Sequence, residues 1–137
     1  MSDKIKIFNA KVVTPLKVIS GGCVLIQDGR IADVPETDAE VKTGDWKEID
    51  AGGHYVAPGF IDIHTHGGGG CDFMDGTPEA FIAAAEMHAR HGTTSIVPTT
   101  VTCPVDNLKK TFAAYEQACK RNTNGAQFLG LHLEGPY

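Results

Sequence analysis

Residues 57–70 read Ala57-Pro58-Gly59-Phe60-Ile61-Asp62-Ile63-His64-Thr65-His66-Gly67-Gly68-Gly69-Gly70. From Tyr55 to Ile63 the run is nearly unbroken in apolar residues, the pattern of a strand buried on both faces in a parallel sheet. It ends in His64-Thr65-His66. Alternate residues of a strand face the same way, so imidazoles at i and i+2 converge on one point, as ligation of a divalent metal requires. The four glycines that follow offer bare backbone, which a substrate can approach closely. His64 and His66 are therefore candidate metal ligands, and Gly67, Gly68 and Gly69 candidate substrate contacts.

Downstream, strand and helix patterns alternate. Thr77-Pro78-Glu79 opens a helix, with Thr77 as N-cap and Pro78 in the first helical position. Phe81, Ile82, Ala85, His88 and Ala89 form its inward stripe, and Gly92 stops it as the residue past the cap. Residues 93–100 are β-branched and predict a second strand. A second helix starts at Pro104, where Val105, Leu108, Phe112, Tyr115 and Cys119 recur at steps of three and four. This stripe predicts a core position for Cys119. After a polar link over 121–126, residues 127–134 predict a third strand.

Upstream the pattern is different. Asp28-Gly29 between the apolar runs 23–27 and 30–34 is a hairpin signal, because a tight primed turn needs positive φ. Residues 5–13 predict another strand, 46–49 a further one, and 35–45 a loop. Residues 1–56 thus read as a small β unit. Residues 57–137 read as β-α-β-α-β, which means a parallel sheet with right-handed crossovers.

Glu134 closes the third strand just before Gly135-Pro136. Burying a carboxylate unpaired at the end of an apolar strand is costly, so it needs a metal, an arginine or water. In β/α barrels the C-terminal strand ends carry the active site. With His64 and His66 at the same end, Glu134 reads as a third metal ligand. Such a donor set suits Zn, Fe or Mn.

Other residues have weaker claims. His132 shares the parity of Glu134 and could line the site, orient Glu134 or pack in the core. Asp62 shares the parity of the histidines but lies deeper, where a structural hydrogen bond is as good a reading. His88 and His91 are one turn apart at a helix C-terminus, where histidine complements the dipole, although the spacing also allows ligation. His54 reads as a surface residue. Asp72 and Asp75 read as shaping the glycine loop, and Thr99 and Thr100 as a pocket wall.

Composition narrows the function classes. The 137 residues are 42% hydrophobic and 21% charged, with a net charge of −5. The acidic balance argues against nucleic acid or an anionic membrane as partner. The first ten residues lack the apolar core of a signal peptide. Cys23, Cys71, Cys103 and Cys119 are scattered, which reads as reduced thiols and predicts a cytoplasmic protein.

The run Pro58 to Gly67 resembles the first barrel strand of the amidohydrolase superfamily, and the Asp28-Gly29-Arg30-Ile31 hairpin resembles the small β domain that precedes it. The closing Gly130-Leu131-His132-Leu133-Glu134-Gly135-Pro136, with the glycine run and residues 93–102, is similar to the N-acetylglucosamine-6-phosphate deacetylase family. That resemblance implies an α/β fold, the first part of a metal-dependent hydrolase (β/α)8 TIM barrel preceded by part of a small β-sandwich. It implies hydrolysis of the acetamide of N-acetyl-D-glucosamine 6-phosphate, with one or two divalent ions. Glu134 matches the family's metal-binding glutamate, and His64 and His66 match the pair used by members that hold a second metal. A homodimer is implied for the complete enzyme.

The family's other ligands, its acid/base aspartate and its phosphate-binding residues belong to later strands and loops. A barrel of about 250 residues allots about 31 to each strand–helix unit, so residues 57–137 correspond to under three units. The sequence is thus expected to be the N-terminal part of a longer enzyme, without the catalytic acid/base. Alternatives are a galactosamine-specific relative, a cyclic-amide hydrolase or deaminase, or a non-catalytic metal-binding module.

Overall fold

In a computed structural model, the structure describes residues 3–39 and 41–135. Met1, Ser2, Glu40, Pro136 and Tyr137 lie outside the described residues, and with them the start of the N-terminal segment and the Pro136 end of the closing motif. The chain divides into two compact units, Met1–Pro58 and Gly59–Tyr137.

The first unit is built on β1 (Lys4–Val13), β2 (Val18–Gln27), β3 (Arg30–Asp33), β4 (Lys47–Asp50) and β5 (Tyr55–Val56). The sheet runs in the order β3-β2-β1-β4, with β5 also beside β1. The hairpins β1–β2 and β2–β3 are antiparallel, whereas β4 and β5 run parallel to β1. Asp28 and Gly29 have φ of 52° and 73°, the left-handed pair of a primed turn that lets β2 return as β3. β1 is bulged between Ile7 and Ala10. Asn9 sits there at φ 52°, and its side-chain amide donates to Asp50 Oδ1 at 2.8 Å. Ala10, Val12, Ile19 and Val24 form the small core. An apolar cavity of about 280 Å³ beside it is lined by Ile7, Val12, Val24, Ile26, Val34 and Val56.

Tyr55-Val56 corrects one expectation. These residues do not continue into the barrel-type strand but pair with Lys11 and Val12 of β1. Pro58 lacks the N–H that a continuous ladder would use.

The second unit contains β6 (Phe60–Thr65), a two-residue hairpin of β7 (Gly67–Gly68) and β8 (Cys71–Asp72), α1 (Pro78–Arg90), β9 (Thr93–Pro98), α2 (Val105–Arg121) and β10 (Gln127–Phe128). Its parallel sheet has the order β10-β9-β6. The Thr77 hydroxyl accepts from Ala80 N–H at 3.3 Å, and Gly92 (φ 92°) follows the His91 cap, both as expected. The core holds Phe73, Phe81 and Ile96 among Ala84, Ala85, Ala114, Ala118 and Ala126. Small side chains let the two helices approach each other and the sheet closely. An Arg121–Glu79 ion pair at 2.8 Å bridges α2 to the first turn of α1 and holds the Glu79 carboxyl below its usual range.

Three expectations need correction here. The strand 60–63 is not buried, since Phe60, Ile61 and Ile63 are 72%, 64% and 70% exposed. β6 is an edge strand among the described residues, with β9 on one side only. The buried face of α2 is Thr111, Ala114 and Ala118, so Phe112 and Cys119 fall on the exposed flank. Hydrophobic size set the expected stripe, but the contact with α1 selects the small residues one position away. The third strand is regular only over Gln127–Phe128. Its pairing resumes as a single parallel bridge between Thr99 and His132. The N–H and C=O of one strand residue point the same way, and Pro98 accepts from His132 N–H at 2.9 Å. The donor that proline lacks would have faced the third strand, which interrupts the ladder there.

Two predictions follow from this packing. Ala118→Leu should destabilise the chain by about 1–3 kcal/mol through overpacking, while Cys119→Ala should stay within about 0.5 kcal/mol. Urea denaturation of both variants checks which face is buried. Burial first, and the neighbouring Cys119 thiol second, push the Tyr115 phenol up to about 12. The folded state holds that proton more tightly than an ordinary phenol near about 10. This contribution to stability is therefore intact below about pH 10 and fades as the pH rises toward 12. In Tyr115→Phe that part of the alkaline decline should be absent from denaturation midpoints across the same range.

Candidate metal centre

The site lies where β6 and the third strand end. His64 is in β6, and His66 stands one residue beyond it. Their rings are 5.1 Å apart, edge to face. Glu134 reaches them from the far side of the sheet order. Its Oε2 lies 3.2 Å from His64 Nε2 and 3.3 Å from His66 Nε2. One ligand atom from each of the three residues lies within 4.8 Å of the others. All three side chains are about half exposed, at 49%, 40% and 52%.

The two Glu134–histidine separations suit donors to a divalent ion. Imidazole nitrogen and carboxylate oxygen bind such an ion at about 2.0–2.2 Å, and tetrahedral geometry then spaces donors about 3.4 Å apart. The Glu134–histidine distances match such an edge. His66 Nδ1 is buried and has no hydrogen-bond partner among the described residues. A ligating histidine usually donates that second N–H to an acceptor.

Backbone and threonine contacts bring the three residues together. Thr99 is wholly buried. Its N–H donates to Thr65 O at 2.8 Å, and its hydroxyl accepts from Thr65 N–H at 3.2 Å. Thr65 is the residue between the two histidines, so Thr99 grips the pair from just past the end of β9. On the other side Thr100 N–H donates to His132 O at 2.9 Å, two residues before Glu134. Thr99 and Thr100 are thus buried struts rather than a pocket wall.

The remaining candidates fall outside the cluster. Asp62 accepts from His64 N–H at 3.0 Å, which is a structural role. His132 is exposed with its ring 4.9 Å from that of His64, so it lines the site and is not core packing. Asp72 and Asp75 form a capping box on the short 3-10 turn Phe73–Asp75. His91 Nδ1 meets Met87 O at 2.9 Å, and His54 is exposed. Gly69 and Gly70, with φ of 63° and 83°, make the turn of the β7–β8 hairpin. A side chain at Gly67 would run into the Cys71 carbonyl, and one at Gly68 into the His88 ring. These glycines therefore have folding reasons independent of any substrate. The contacts of Thr99 and His88 carried no sequence signal, because they depend on pairing across 21 to 34 residues.

The Amidohydrolase family profile matches residues 47–121. That is more than half of the sequence, and the chain belongs to this family, whose enzymes are generally metal-dependent. Among curated relatives, an N-acetylgalactosamine-6-phosphate deacetylase from Escherichia coli O157:H7 is 40% identical over 112 residues, 82% of this chain and 28% of that protein. An N-acetylglucosamine-6-phosphate deacetylase from Bacillus subtilis is 36% identical over 100% of this chain and 35% of its own length. The crystal structure of N-acetylglucosamine-6-phosphate deacetylase from Pasteurella multocida superposes with a TM-score of 0.84 at 29% identity, over 98% of this chain and 35% of that one. The chain spans about a third of the length of these relatives. Its fold is α/β and corresponds to the N-terminal part of a TIM-barrel enzyme. No helix among the described residues is long and apolar enough to cross a membrane.

Thr99→Val keeps the shape and deletes the hydroxyl that Thr65 N–H uses. A buried donor left without its partner costs about 1–3 kcal/mol. Urea denaturation should show that loss, and an unchanged midpoint would remove the Thr99 hydroxyl from the strut.

Proposed function

We propose that this chain forms the first part of an amidohydrolase barrel that hydrolyses the acetamide of N-acetyl-D-glucosamine 6-phosphate, releasing acetate and D-glucosamine 6-phosphate. The observation that carries the reading is the convergence of His64, His66 and Glu134 at the strand ends, in a chain whose relatives bear deacetylase names. In this reading residues 1–56 belong to a small β-sandwich, and residues 57–137 supply three strands and two helices of the barrel.

His64, His66 and Glu134 would hold one or two divalent ions, Zn, Fe or Mn. Such an ion polarises an amide carbonyl and lowers the pKa of water toward neutrality, and an amide, a poor electrophile with a poor leaving group, needs both. Glu134 supplies negative charge against the cation, and the two imidazoles supply neutral donors. Gly67, Gly68 and Gly69 keep side chains away from the loop beside His66, where the sugar would pass. The reading assigns no acid/base and no phosphate-binding role to residues of this chain. The complete enzyme is expected to work as a cytoplasmic homodimer.

A second reading has its own support. The relative that is 40% identical is named for the galactosamine epimer.

Metal analysis of the purified chain after loading with zinc tests the centre. Glu134→Gln should lower zinc affinity at least about tenfold, and His64→Asn should lower it or reduce the stoichiometry. Unchanged stoichiometry and affinity in both variants would remove these residues from the centre. With the remaining barrel strands supplied in cis, acetate release from the two epimeric sugar phosphates decides the substrate, and Glu134→Gln should abolish it.

A further inference from the structure

We propose that His88 is a positioning residue for the metal centre, latching the backbone on both sides of His66 to helix α1. This rests on the metal reading of the site. His88 lies in the last turn of α1, half-buried. Its Nε2 is 3.0 Å from Gly67 O and 3.3 Å from Thr65 Oγ1. The Thr65 hydroxyl in turn donates to Gly67 O at 3.2 Å. A carbonyl has no proton to give, so His88 Nε2 carries the hydrogen and donates. Residues 65 and 67 flank His66, and the latch therefore grips the peptide before and after this ligand.

Neighbouring contacts complete the clamp. Phe73 N–H donates to His66 O at 2.9 Å, and the Phe73 side chain is wholly buried in the core. His66 is thereby tied to α1 by His88 and to the core by Phe73. The ring of His88 packs closely on residue 68, which is glycine. A Cβ there would lie 3.3 Å from Nε2. Gly68 and His88 are thus two halves of one contact. The anchor itself is firm, since Phe81, Ala84 and Ala85 of the same helix are wholly buried.

Two simpler roles for His88 fit less well. Meeting a terminal helix carbonyl is done by His91, at Met87 O. Ligating a metal would need a ring nitrogen within the His64–His66–Glu134 group, to which His88 does not belong. Its Nε2 is already spent on Gly67.

Cobalt(II) titration of the full 137-residue chain, followed by d–d absorption, tests the latch alongside amide exchange. His88→Leu keeps bulk and removes the donor. It should weaken cobalt binding about tenfold, the lower end for residues that orient ligands, and speed exchange at Phe73 N–H while Ile96 stays protected. His88→Gln restores an N–H near the Nε2 position and should recover both to within about threefold. Cobalt affinity and Phe73 exchange unchanged in His88→Leu would overturn the proposal, as would loss of Ile96 protection together with Phe73. Should the unmodified chain take up no cobalt, the metal reading falls. The exchange comparison then decides by itself whether His88 holds His66.

Discussion

Thr99 is wholly buried, and both its N–H and its hydroxyl are committed to Thr65. This double grip sets where β6 ends relative to β9. The next residue, Thr100, reaches the other way to His132. Adjacent residues of a strand point their backbone groups to opposite sides, so one dipeptide pins both neighbouring strands. The His64–His66 pair and Glu134 are separated by about 70 residues in sequence, and they meet because each is within two residues of this anchor. A slip of one residue in either pairing would turn the side chains of His64, His66 or Glu134 to the opposite face.

The rest of the second unit serves that geometry. A core rich in alanine brings α1 close enough to the sheet for His88 to touch Gly67, and the glycine hairpin is narrow enough to lie against the helix. Polar groups near the cluster are not all satisfied: His66 Nδ1 and Thr100 Oγ1 are buried without partners among the described residues. Such groups are few in native structures and costly. Phe60, Ile61 and Ile63 are exposed along β6. A strand from a closed barrel has two sheet neighbours, and among the described residues β6 has one.

Much of this was legible in the residues. The primed turn at Asp28-Gly29 and the Thr77-Pro78 start and Gly92 stop of α1 each rest on local backbone chemistry, which acts over four or five residues. His-x-His at a strand end and a carboxylate at another also stood out, since charge and metal-ligand types are rare in apolar runs. The errors came from longer range. Phe112 and Cys119 look like core by hydrophobicity, but the close approach of α1 to α2 favours Ala114 and Ala118. The run 55–63 looks like one strand, but Tyr55-Val56 finds a partner in β1.

The amino-acid sequence alone therefore determined the class of fold, the order of its elements and the three side chains able to hold a cation. These follow from periodicity, turn chemistry and donor type, which are properties of short segments. Only the tertiary structure decided that Glu134 Oε2 comes within 3.3 Å of both imidazoles, that Thr99 is a strut, and that the His88 ring reaches Gly67 O. Those facts depend on parallel strand register and helix-to-sheet distance, and both are set by packing between residues far apart in the chain.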